Sequence, residues 1–126
     1  MDYSDTREYM LSRPEAWEDF PFGADVAVLK VKKKMFATLS YRDKVAEMNL
    51  KCDPAEAIEL RDIFSAVIPG YHMNKRHWNT VILDGSIPRG ELERMIDRSY
   101  ALVVKGMTKA ERMPLEVQYS KEELYR

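Results

Sequence analysis

Between residues 26 and 52 the chain reads as three β-type runs separated by two short basic turns. Val26 to Val31 is apolar on nearly every position. Lys34 to Tyr41 sets Met35, Ala37, Leu39 and Tyr41 against Lys34, Phe36, Thr38 and Ser40. Val45 to Cys52 sets Ala46, Met48, Leu50 and Cys52 against Val45, Glu47, Asn49 and Lys51. A period of two with polar residues on one side predicts an antiparallel sheet that is covered on one face and wet on the other. The turns at Lys32-Lys33 and Arg42-Asp43 are too short for a crossover, so the three runs form a meander.

Helical signals flank this block. Asp2 to Leu11 can be capped by Ser4 or Asp5 and ends before Pro14. Asp53-Pro54-Ala55-Glu56 places a capping residue, a first-turn proline and a capping-box acid in register. The helix it opens is expected over 54–66, with a stripe of Ala57, Leu60, Ile63, Phe64 and Val67. A last helix is expected from Glu91 to Lys105, its stripe made by Leu92, Met95, Ile96, Ser99, Tyr100, Leu102 and Val103. Between the two, Pro69-Gly70 is a turn, followed by a short strand near Tyr71–Asn74 and a longer one from His77 to Leu83. The helices at 54–66 and 91–105 should lie on one side of the sheet, because only one face of the strands is apolar.

The 126 residues fit one domain with a core large enough to need no metal or disulfide. The domain is expected over 1–107, with 108–126 as a charged tail that forms a short helix or frays. A single cysteine, Cys52, excludes an internal disulfide and points to the cytoplasm. Strand parity turns its thiol inward. No apolar run is long enough to span a membrane. Glu15 to Gly23 holds Trp17, Phe20 and Phe22. These rings either tuck against the core, the simpler expectation, or line a ligand pocket beside Glu18 and Asp19.

No catalytic set is visible. His72 and His77 are five apart, which does not put two ligands on one helix face, and no metal or cofactor is expected. There is no glycine-rich phosphate loop and no nucleophile elbow. Charge, however, is unevenly placed although the total is only −1. Residues 1–23 carry six acidic and two basic side chains, whereas 30–51 carry seven basic and two acidic. The basic turns mark Lys32, Lys33, Lys34, Arg42 and Lys44 as candidate phosphate contacts, extended by Lys75, Arg76 and His77 if that loop shares their face. The competing reading is that lysines crowd hairpin ends because those ends are solvated.

Several short motifs resemble the MmcQ/YjbR family of small bacterial proteins. They are Pro21-Phe22-Gly23, Lys34-Met35-Phe36-Ala37, Leu50-Lys51-Cys52-Asp53-Pro54, Ser99-Tyr100 and, above all, the run from Pro69 to Thr80 with His72, Met73, Asn74, Lys75, Arg76, His77, Trp78 and Asn79. The resemblance covers about residues 3–107. It implies a two-layer α+β fold in the order α-β(3)-α-β(2)-α, similar to secretion chaperones, and DNA binding through a double wing of hairpins. Duplex DNA, bound without sequence preference and in a salt-dependent way, is the partner this implies. A protein partner on the open sheet face and a small-anion or metabolite site at His72, Lys75, Arg76 and His77 are the alternatives. The 70–80 stretch could equally be a clamp in which Asn74 and Asn79 bond to backbone. Arg89-Gly90 departs from the acidic or capping residue expected at the start of the last helix.

Overall fold

The computed structural model describes residues 1–126. Its sheet has six strands: β1 (Ala16–Asp19), β2 (Ala27–Val31), β3 (Lys34–Arg42), β4 (Val45–Lys51), β5 (Val67–Pro69) and β6 (Trp78–Ile82). They lie in the order β1-β2-β3-β4-β6-β5, with every neighbouring pair antiparallel. Five helices accompany them: α1 (Tyr3–Leu11), α2 (Pro54–Ile63), α3 (Arg89–Lys105), α4 (Lys109–Gln118) and α5 (Lys121–Tyr125). The fold is α+β, and no helix is long and apolar enough to cross a membrane.

The meander at 26–52 and the single covered face follow from the alternation. Leu29, Ala37, Leu39, Met48, Leu50 and Val81 point into one cluster with Met10 of α1, Ala57 and Leu60 of α2, and Ile96 and Tyr100 of α3. All helices therefore cover the same side. α3 lies across the middle of the sheet, burying Leu92, Met95, Ile96, Ser99, Tyr100 and Val103 at helical spacing. Its N-cap is Pro88, which makes no side-chain capping bond. That agrees with the poor capping chemistry of Arg89-Gly90, and the broad apolar stripe holds the helix without it.

Four local expectations are corrected. Residues 16–19 form an edge strand, and the aromatic rings of this segment do not tuck in: Trp17, Phe20 and Phe22 are 42%, 46% and 72% exposed. Phe36 does not share the wet face with Thr38 and Ser40. The register between β2 and β3 shifts at Leu29/Lys30, which leaves Phe36 as an extra residue in β3 and turns its ring into the core, edge-on to Tyr100 at 5.3 Å. α2 ends at Ile63, because Phe64 is extended (φ −117°, ψ 119°), so Val67 belongs to β5 rather than to the helix. The short strand is thus at Val67–Pro69, and Tyr71–Asn74 is a turn. The implied order α-β(3)-α-β(2)-α consequently gains one strand before the meander and two helices after α3.

The segment after Met107 is helical and docked. α4 and α5 each open with a full capping box, Thr108 with Glu111 and Ser120 with Glu123, and they bury Leu115 and Leu124 completely. Arg13, 3% exposed, ties the parts together. It lies 3.3 Å from Asp97 of α3, donates to the carbonyl of Glu123 and sits 4.9 Å from the Tyr100 ring centre. Burial pulls its guanidinium below the ordinary value, opposed by the nearby Asp97 carboxylate.

Candidate functional site

The side of the sheet away from the helices holds two features. The first is a row across five strands. Register pairs Trp17 with Lys30, Lys30 with Met35 and Lys51 with Trp78, and alternation turns these side chains away from the core. The β3–β4 register ends at Ala37 and Leu50, so Met35 and Lys51 lie just beyond it beside the Phe36 bulge and are not direct partners. The row reads tryptophan, lysine, methionine, lysine, tryptophan. At strand spacing of about 4.8 Å it extends roughly 19 Å. The Trp17 indole N–H donates to the Lys32 carbonyl at 2.8 Å, which fixes the ring. The Lys30 ammonium lies 5.2 Å from that ring's centre and 2.7 Å from Asp19. Hydrogen bonding from Lys30, together with the Phe20 N–H, holds the Asp19 carboxyl below its ordinary value.

The second feature is a cleft of about 420 Å³ next to the row. Its floor is the polar side of β3 and β4: Thr38, Ser40, Arg42, Glu47 and Asn49. One wall comes from the segment entering β2, with Phe22, Asp25 and Val26. The other comes from the β5–β6 loop, with Tyr71, His72 and Met73. A hydrogen-bonded ladder stiffens the floor. The Asn49 amide donates to Thr38 Oγ1 at 2.9 Å, Thr80 Oγ1 donates to Asn49 Oδ1, and the Tyr71 backbone N–H donates to Thr80 Oγ1 at 2.8 Å. The last bond holds the loop over the sheet. Arg42 completes the join, 2.9 Å from Glu47 Oε2 and 4.6 Å from the Tyr71 ring centre. His72 has φ +59° and stacks on Tyr71, with ring centres 4.0 Å apart.

The 69–80 motif is largely a clamp. The Asn74 carbonyl accepts from the backbone N–H of His77 and Trp78, and its side chain accepts from Arg76 N. Asn79 donates to the Ala57 carbonyl and accepts from Arg61, fastening α2 to β6. Lys75 folds back, its ammonium donating to the Gly70 carbonyl at 3.1 Å. His77 is half-buried, and its carbonyl accepts from Cys52 N at 2.8 Å. Gly70 has no room for a Cβ, which would fall 2.8 Å from the Trp78 carbonyl oxygen. Pro21, Phe22 and Gly23 form an exposed turn with Gly23 at φ +105°.

The basic residues singled out by charge do not converge. Lys32–Lys34 and Lys44 lie at opposite ends of β3, about 30 Å apart for a nine-residue strand. Lys32 is 3.6 Å from Glu15, and the Glu111 carboxyl is held below its ordinary value by the Thr108 bonds with smaller help from Lys34 and Lys33. Arg42 is engaged by Glu47 and Tyr71. Lys75, Arg76 and His77 lie at the Lys34 end of the sheet, two strands away, and His72 lines the cleft apart from them.

Thr38, Ser40, Glu47 and Asn49 were legible as outward-facing residues but carried no functional mark in the sequence. A signal was present in three of them: Thr38, Ser40 and Asn49 put short hydroxyl and amide side chains where a merely solvated strand can carry long charged ones.

The YjbR family model matches residues 11–102 of the chain. The uncharacterised protein YbdF of Escherichia coli O157:H7 is 38% identical over 90 residues, 71% of this chain and 74% of its own length. The uncharacterised protein YjbR of Escherichia coli K12 is 31% identical over 112 residues, 89% of this chain and 95% of its own. The crystal structure of Deinococcus radiodurans protein DR2400, a DUF419 domain, aligns with a TM-score of 0.83 and 39% identity, covering 91% of this chain and 88% of that one. A Pseudomonas syringae protein of known structure aligns with a TM-score of 0.73 and 29% identity over 82% of this chain and 99% of its own. In sequence and in fold, the chain belongs to the YjbR family.

Proposed function

We propose that this protein is a non-catalytic nucleic-acid-binding protein that takes a single strand across the helix-free face of its sheet. The observation that carries the reading is the row of Trp17, Lys30, Met35, Lys51 and Trp78. Two indoles flank two ammonium groups over roughly 19 Å, enough for a handful of nucleotides. Aromatic faces stack on any base, and lysines between them meet the phosphates, which is how sequence-tolerant single-strand binding works. A duplex keeps its bases stacked inside and would use only the charges.

This moves the contact surface from the hairpin tips to the sheet. The tips suit duplex DNA less well, since they stand far apart and have acidic neighbours in Glu15 and Glu111. The test is a titration against single-stranded DNA, RNA and duplex DNA of equal length at two salt concentrations, followed by tryptophan fluorescence. Single strands should bind more tightly than duplex and quench the indoles. Equal or tighter duplex binding without quenching would return the contact to the tips. No binding of any nucleic acid at low salt would end the reading and leave the uncovered face to a protein partner.

A further inference from the structure

The cleft beside the tryptophan–lysine row carries an inference of its own. We propose that it binds a guanine-type base, a planar purine presenting two adjacent N–H donors, in a ligand whose phosphate, if any, stays outside. Three observations converge on that chemistry. The first is the pair of aromatic walls. Phe22 is 72% exposed and Tyr71 47% exposed, and both line the cleft, Phe22 from the segment that enters β2 and Tyr71 from the loop between β5 and β6. β3 and β4 lie between those two segments. Tyr71 already carries the Arg42 guanidinium and the His72 ring, so Phe22 is the ring left free to cover a flat ligand.

The second is Glu47, which is 7% exposed and has Arg42 on Oε2 as its one charged partner. Oε1 receives no protein donor and is not an enclosed atom, so it is open to accept one from the cleft. A carboxylate oxygen with free lone pairs at a cleft floor takes the N–H groups that a ligand supplies. Guanine offers N1–H and the exocyclic N–H together on one edge, whereas adenine puts a bare acceptor at N1. Around Glu47, the Ser40 hydroxyl and the second N–H of the Asn49 amide can serve a ring carbonyl.

The third is charge. Asp25 and Glu47 both line the cleft, and the Arg42 guanidinium is already paired with Glu47, so the cleft has no unpaired guanidinium for a phosphate. The strained backbone of His72, at φ +59°, seats its ring against Tyr71 and completes the wall. The volume of about 420 Å³ is within the range of small-molecule sites and takes a nucleoside with ease.

The inference does not rest on strand binding across the sheet. Replacing Trp17 and Trp78 together by alanine removes the stacking surface and leaves every cleft residue in place. Guanosine, adenosine and guanosine monophosphate should be titrated calorimetrically into the wild-type protein. Guanosine should saturate below about 1 mM. Adenosine should bind at least roughly tenfold more weakly, and the monophosphate should bind no more tightly than the nucleoside. Glu47→Gln should weaken guanosine about tenfold or more. Phe22→Ala, at a position too exposed to threaten the fold, should weaken it roughly tenfold through lost stacking. Absence of saturation, equal affinity for adenosine, or a Phe22→Ala protein that binds like wild type would each overturn the proposal. A short oligonucleotide with one guanine then assigns the source. Competition with guanosine means that the base arrives in a strand, and no competition means that the ligand is the free nucleoside.

Discussion

The Ser99 hydroxyl of α3 donates to the Phe36 carbonyl at 2.6 Å and accepts from the Lys51 backbone N–H at 2.8 Å. One fully buried side chain thus satisfies the backbone of β3 at the bulge and of β4 at its end. Bulged residues lose a ladder partner, and α3 supplies the replacement. Ser99→Ala should leave both groups unpaired and cost about 2–6 kcal/mol, at about 1–3 kcal/mol per buried unsatisfied group. Urea unfolding reads it as a lower midpoint at unchanged slope. A loss under about 0.5 kcal/mol would mean that water replaces the hydroxyl.

Asp97 is the counter-ion of the buried Arg13, and it also accepts from Tyr9 Oη at 2.9 Å and lies 3.5 Å from Arg126. Removing one member of a buried pair strands the other. Asp97→Ala should therefore destabilise by about 3–5 kcal/mol. It should also loosen α5, whose Glu123 carbonyl accepts from the same arginine. Hydrogen exchange in residues 121–125 would report that loosening; exchange unchanged there would show that Leu124 alone anchors the helix.

Cys52 is 8% exposed, and burial pushes its thiol up to about 11 from 9.0, with Glu56 and Asp53 adding to the effect. The folded state thus holds the neutral thiol more strongly than the unfolded chain does. The stability this contributes is complete below pH 9 and declines as pH rises toward 11, by on the order of 2 kcal/mol. Cys52→Ala should flatten that part of the stability profile. In native protein at neutral pH the thiol should react with a disulfide reagent far more slowly than in denaturant. Equal rates in the two states would contradict the burial.

These residues also show what could be read before the structure. The inward parity of Cys52, Leu50 and Met48 follows from simple alternation, and so does the one-sided placement of α2 and α3. Alternation fails where the backbone gains a residue, and nothing in Lys34-Met35-Phe36-Ala37 announces that Phe36 is the extra one. β1 was hidden because its inward Glu18 looks wrong for a strand. That side chain is matched by Arg7 of α1, two 2.8 Å bonds that exist only once the chain has folded. β5 was masked by Val67, which continues the helical spacing of α2 past the true stop at Phe64. The cleft was illegible for another reason: its lining comes from four separated segments, none of which carries a motif for a ligand by itself.

The salt dependence of strand binding separates the sheet from the hairpin tips. Each phosphate contact to a single strand contributes about 0.7 to the slope of log affinity against log salt. Lys30→Ala with Lys51→Ala should therefore flatten the slope by about 1.4. Trp17→Ala with Trp78→Ala should leave the slope alone and weaken binding by about 1–3 kcal/mol per ring, because stacking releases no counterions. Asp19→Asn should strengthen binding, since it frees the Lys30 ammonium that now sits 2.7 Å from the carboxylate and removes a charge that repels phosphate. Lys32, Lys33 and Lys34 changed together to alanine serve as the contrast: they flank the row but have Glu15 and Glu111 as neighbours, so the slope should change little. If the triple variant instead flattens the slope by two units or more while the Lys30 and Lys51 pair does nothing, the strand lies along the β2–β3 hairpin tip, and the row of tryptophans and lysines has another use.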